Sequence, residues 1–124
     1  MVGREFRGYA LRWFVKRRTK PSVRDLYHPR PEDVDLANVL HALSDPVRLE
    51  IVRVLAGVDE IPCNSLNAAV SKSTMSHHFK VLREAGVTHT RANGTKRMIS
   101  LRRDELEGRF PGLLSSILQS SKAA

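Results

Sequence analysis

Residues 65–86 read SLNAAVSKSTMSHHFKVLREAG, and the direction each side chain faces in this stretch decides the fold. Ser71 is placed to cap a helix that runs from Lys72 to about Ala85 and stops at Gly86. Within it Met75, His78, Phe79 and Leu82 recur at i, i+3, i+4 and i+7, so they share an apolar face that needs a core. Ser73, Ser76, His77 and Lys80 recur at the same spacing on another face, with Thr74 beside it. Small hydroxyls and a lysine hydrogen-bond to base edges and phosphates, and the helix N-terminus adds free N–H groups and a partial positive charge. SLNAAV, with Leu66, Ala69 and Val70 inward, reads as a short helix just before. A short helix, a tight polar connection and a capped helix make a helix-turn-helix, whose second helix enters the DNA major groove.

The adjacent histidines invite a metal reading, and the helix geometry argues against it. Neighbouring helical residues project about 100° apart, whereas chelation from one helix uses i,i+4 pairs. His78 is expected against the domain, hydrogen-bonded, and His77 on the polar face. His41 and His89 show no partner pattern.

Downstream the period changes from helical to alternating. VTHTR and TKRMISL are β-branched stretches around ANG, and Asn93-Gly94 is a strong hairpin signal because both residue types tolerate positive φ. Arg91, Asn93, Lys96 and Arg97 then surround a narrow tip, the pattern of a basic "wing" lying along a DNA backbone or in its minor groove. After Arg103, DELEGRFPGLLSSILQSS is helical again, with Asp104 as its cap and a break at Pro111. Leu113, Leu114, Ile117 and Leu118 line one side. Upstream, Leu36, Val39, Leu40 and Leu43 predict a first helix over about 32–43. Asp45 as N-cap and Pro46 as first residue open a second, with Val47, Ile51, Val54 and Leu55 as its stripe and Gly57 at its end. Arg48, Glu50 and Arg53 lie off that stripe. GVDEIPCN reads as a connection.

The fold class expected is mainly α with a small β-hairpin wing, a winged helix-turn-helix in the order α-α-α-α-β-β-α. Its domain spans residues 32–120. Residues 1–31 form a basic extension, partly disordered, in which residues 4–18 have the spacing of a short amphipathic helix, and 121–124 form a tail. The 124 residues suffice for one modest core. Of the net charge of +8, residues 72–103 carry eight bases against one acid, while residues 32–71 carry two bases against seven acids. A positive block on an otherwise acidic body points to a polyanion such as nucleic acid. No apolar run is long enough to span a membrane, and no secretory leader is read. Cys63 is the only cysteine, which fits a reducing cytoplasm.

LHALSDPVRLEIVRVL, then SKSTMSHHFKVLREAGV, then RANGTKRMISLRRDEL closely resemble the ArsR/SmtB family of bacterial winged-helix repressors, in order over residues 32–119. The pattern of Ser73, Ser76, His77, His78, Leu82, Ala85 and Gly86 is distinctive, and SDPVR is a second, independent match. The resemblance implies a homodimer joined through its first and last helices, with Leu36, Leu40, Leu113, Leu114, Ile117 and Leu118 at the seam. It also implies a cytoplasmic repressor, nucleoid-associated when bound, on a roughly palindromic double-stranded operator near its own promoter.

The metal sites best known in this family are missing. Where relatives place a Cys-x-Cys-Asp segment, this chain has Pro62, Cys63 and Asn64, and one sulfur does not hold a soft ion. Its last helix has no histidine to join Asp104, Glu105 and Glu107. No metal or cofactor is therefore expected. A small-molecule or redox signal, the latter through Cys63, stays open and unidentified. No nucleophile–base–orienter set and no phosphate-cradling glycine loop is present, so an enzyme is not expected. The competing reading is a non-specific or architectural DNA-binding protein driven by the basic extension.

Overall fold

The computed structural model describes residues 26–66 and 70–122. The amphipathic helix read at 4–18 and the centre of the short helix read at 65–70 lie outside them. Among the described residues there are five α-helices and one three-stranded antiparallel sheet. They are α1 (Leu36–Ala42), α2 (Pro46–Ala56), β1 (Ile61–Pro62), α3 (Lys72–Glu84), β2 (Thr88–Asn93), β3 (Lys96–Leu101), α4 (Arg103–Arg109) and α5 (Leu113–Lys122). Single 3-10 turns precede α1 at Pro31–Asp33 and follow β1 at Cys63–Ser65. The mainly α architecture with a hairpin wing is the one expected. No helix among the described residues is long and apolar enough to cross a membrane.

The first joint is built by five consecutive residues, Ser44 to Arg48. Ser44 Oγ donates to the His41 carbonyl at 2.6 Å. Asp45 accepts from the backbone N–H groups of Val47 and Arg48 at 2.9 and 3.1 Å, and Pro46 sits at the first helical position, where its missing N–H costs nothing. Arg48 then turns back, its Nε donating to the Ala42 carbonyl at 2.7 Å. The free carbonyls at the end of α1 and the free N–H groups at the start of α2 are thus satisfied together.

Leu55, Val52, Leu82, Val87 and Ile99 are fully buried and join α2, α3 and the sheet into one core. Helix α3 ends in a Schellman motif, with the Val87 N–H bonded to the Leu82 carbonyl and the Gly86 N–H to that of Arg83. Gly86 has φ +86°, and a Cβ there would meet Val34 Cγ2 at 2.6 Å and Pro29 Cγ at 3.2 Å. The position needs glycine twice over, for its backbone angle and for the chain that passes across it.

Four details differ from the sequence reading. Helix α1 is shorter than 32–43, because Pro31 starts a separate 3-10 turn and Val34 is extended. The connection before Cys63 contains a strand, with Ile61 paired to Ile99 and Pro62 to Met98. The hairpin turn is one residue later than Asn93-Gly94. Asn93 pairs with Lys96, and Gly94-Thr95 form the loop, with positive φ at Gly94 and at no non-glycine residue described. That is the type II′ arrangement, glycine first. Arg102, not Asp104, occupies the N-cap of α4, and its side chain makes no cap hydrogen bond. The break at Pro111 is real: α4 ends before Phe110, and Gly112 takes φ +79° ahead of α5.

Residues 26–34 cross the C-terminal end of α3 as a strap. Pro29 and Val34 are buried, and Arg109 Nη2 donates to the Val34 carbonyl at 2.8 Å. His28 Nε2 accepts the Thr90 N–H at 3.0 Å, and the His28 ring stacks on His89 with centroids 4.3 Å apart. His89 therefore has a partner after all, one sixty-one residues upstream.

Candidate nucleic-acid interface

Helix α3 is capped by Ser71, whose Oγ accepts the Thr74 N–H at 3.3 Å. Its two faces separate as the spacing predicts. Met75, His78 and Leu82 are buried and Phe79 half-buried, while Ser73, Thr74, Ser76, His77 and Lys80 are all exposed. The five form one small, polar, singly basic surface. No side-chain partner holds Ser76 or Lys80 among the described residues, so both are free to reach outward.

The paired histidines divide between these faces. The rings of His77 and His78 lie 6.0 Å apart and tilted, too divergent for a shared ligand. His78 is 7% exposed, and its Nδ1 lies 3.2 Å from Arg48 Nη1. A guanidinium only donates, so Nδ1 is the acceptor. Arg48 is itself 7% exposed, with Nη2 also 3.3 Å from the His41 carbonyl. It lies off the apolar stripe of α2, as its position suggests, yet it is buried because it carries three polar contacts. Asp45 Oδ2 stands 3.9 Å from the same His78 nitrogen, and two backbone N–H groups, that of Arg48 first, hold its carboxyl below the usual carboxylate range. The two motifs of the resemblance, 44–48 and 73–78, thus meet in space.

On the wing, pairing register sorts the side chains. Residues directly opposite share a face, and faces alternate along each strand. Thr88, Thr90, Ile99 and Arg97 belong to the inner face, and His89, Arg91, Asn93, Lys96, Met98 and Ser100 to the outer. Of the four predicted wing residues, Arg91, Asn93 and Lys96 come together and Arg97 lies opposite. All four are exposed. Lys96 and Arg97 have no ion pair among the described residues. Arg91 is different: its Nε and Nη2 donate to Glu60 Oε2 and Oε1 at 2.7 and 2.6 Å. Sequence reasoning missed Glu60, because a carboxylate thirty-one residues upstream shows no pattern that ties it to a hairpin.

Cys63 is half-buried. Burial pushes its thiol above the ordinary value, with Arg97 and Arg83 acting the other way. Two cations therefore act on it, but burial outweighs them. Among the described residues no three His, Cys, Asp or Glu side chains are grouped to hold a metal ion. On the apolar seam, Leu36 and Leu40 are 43% and 45% exposed. Leu113, Ile117 and Leu118 are half-buried, and Leu114 is buried in the core of its own chain.

An exposed polar face on a capped helix, backed by a core and followed by a basic hairpin, defines a winged helix-turn-helix regulator of transcription. Comparison with known proteins agrees. A family described as a helix-turn-helix domain matches residues 43–91. An HTH-type transcriptional regulator of Bacillus subtilis, YceK, is 38% identical over 89 residues, 69% of this chain and 89% of that one. The arsenical resistance operon repressor of Staphylococcus xylosus is 38% identical over 74 residues, 59% of this chain and 71% of that one. Among solved structures, the transcriptional repressor BigR from Xylella fastidiosa superposes with a TM-score of 0.52 at 29% identity, covering 71% of this chain and 80% of that one. The chain belongs to the ArsR family of winged-helix transcriptional regulators, which bind DNA.

Proposed function

We propose that the protein is a homodimeric repressor that binds a roughly palindromic operator and leaves it on a signal not yet identified. One observation carries this reading: the five exposed side chains of α3 form a polar face directly opposite its buried stripe. Ser73, Thr74, Ser76, His77 and Lys80 meet base edges and phosphates in the major groove. Asn93, Lys96 and Arg97 at the wing tip meet the flanking backbone or minor groove. The DNA-binding domain is residues 32–120 with the strap from residue 26 packed on it, working in the cytoplasm on nucleoid DNA, with no catalytic role. Leu36 and Leu40 on α1 and the half-buried leucines of α5 support a seam between two copies, Leu114 serving mainly its own core. Repressor names among the relatives support the sign of regulation.

A gel-shift titration tests this, with the duplex upstream of the gene set against a scrambled duplex across salt concentrations. Tight, preferential binding to the upstream duplex is expected, and equal affinity for both at every salt concentration sinks the specific reading. Lys80→Ala and Arg97→Ala should each weaken binding and reduce the slope of log K against log salt by about 1, with folding intact. The competing architectural reading rests on the +7 charge of residues 1–31. It is favoured only if deleting residues 1–25 removes nearly all affinity.

A further inference from the structure

We propose that Glu60 is an electrostatic latch on the wing, holding Arg91 in a neutral pair for which the phosphates of DNA compete. The inference rests on the DNA-binding reading of the wing and adds a residue that controls it. Glu60 stands in the connection before β1 and Arg91 on β2, at opposite edges of the sheet, with β3 between them. Arg91 reaches over the outer face and presents the edge made by Nε and Nη2 to both carboxylate oxygens, at 2.7 and 2.6 Å. That edge is the fork a guanidinium uses to grip a phosphate side-on, so one group excludes the other.

Charge makes the placement consequential. From Ile61 to Arg103 the only acid is Glu84 on α3, and the wing itself has none. Glu60 thus brings an acid to an otherwise basic hairpin and cancels the charge at its base. The tip, with Lys96 and Arg97, is left unopposed. Arg91 beside it holds the Glu60 carboxyl below the usual carboxylate range, so the latch is charged at neutral pH. The Arg91 side chain is still 49% exposed and that of Glu60 26%. A pair this open is worth at most a few-fold in an equilibrium constant. The pair is thus weak enough for a single substitution to release, but while it stands the carboxylate occupies the fork and its charge opposes an approaching phosphate.

The test uses full-chain protein and the upstream duplex, titrated between low and moderate salt. Glu60→Ala should bind roughly 3–10-fold tighter at low salt, with a slope of log K against log salt steeper by about 1, as for one added phosphate contact. Arg91→Ala should cost less than about 2-fold in the native background and abolish the whole gain when added to Glu60→Ala. Glu60→Gln keeps the size and loses the charge, so it should show the same gain even where alanine loosens the sheet. Unchanged or weaker binding by Glu60→Gln overturns the latch and leaves Glu60 a brace for the wing. Because every duplex carries phosphates, the gain is expected on scrambled DNA as well. Loss of operator preference in the unaltered protein would therefore sink the repressor reading without touching this one. If Lys80→Ala and Arg97→Ala weaken binding while Glu60→Gln does not strengthen it, only the latch fails.

Discussion

Arg48 is a charged side chain that the core accepts because each of its directions has a partner. It closes the carbonyl end of α1 and meets His78 on α3. A buried group satisfied this fully is costly to remove, since its partners stay behind without hydrogen bonds. Arg48→Ala should destabilise the fold by about 3 kcal/mol, measured by urea or thermal unfolding. Arg48→Lys should recover only part of that, because a single ammonium does not reproduce a planar fork. A loss below about 0.5 kcal/mol, the size of an ordinary surface substitution, would show that the joint does not depend on this residue.

At the scale of the element, the strap and the wing are joined through a histidine that must be neutral. His28 Nε2 accepts a backbone N–H, and burial, then His89, Arg83 and Arg102, lower its pKa from 6.5 to about 4. Above pH 6.5 the folded and unfolded chains both hold it neutral, and its contact is fully present. As the pH falls from 6.5 to about 4, the unfolded chain takes up a proton that the folded chain resists, so stability is lost across that window. With the discount due for a partly exposed ring, the loss is about 1–2 kcal/mol. His28→Gln should flatten this part of the pH–stability curve, and an unchanged curve would remove His28 as its source. None of this was visible in the sequence, where His28 sits in a proline-punctuated basic run and His89 in a strand sixty-one residues on. Helix α3 was legible because its two stripes lie within one element and obey one period. The cap at Asp45 was legible because capping is local. Strand β1 was not, since two residues cannot show alternation and one of them is proline. The turn slipped by one residue because Asn-Gly tolerates two registers, and only pairing across the hairpin chooses between them. The Glu60–Arg91 pair, like the strap, depends on long-range contact.

Across the whole molecule, the strap moves the working boundary of the fold upstream. A chain starting at residue 32 would lose the buried Pro29 and the His28 contact, leaving Gly86 covered by Val34 alone and Thr90 without its partner from the strap. Removal of residues 1–31 should lower the melting temperature by several degrees more than removal of residues 1–25, read side by side by thermal denaturation. Equal melting temperatures would show that the strap adds no stability.

The strap also decides how the protein meets copies of itself. In the order β1-β3-β2, strand β2 is an outer strand, and its free side offers backbone groups to any extended chain that comes near. His28 takes up the Thr90 N–H there, and Lys96 and Arg97, the unopposed charges of the tip, give the distal part a charge that repels a second copy. In the homodimer proposed above, two wings would meet DNA at once, which works only if those wings do not first pair with each other. On that reading, the same short run of chain that steadies the hairpin also covers part of the edge along which two wings would pair.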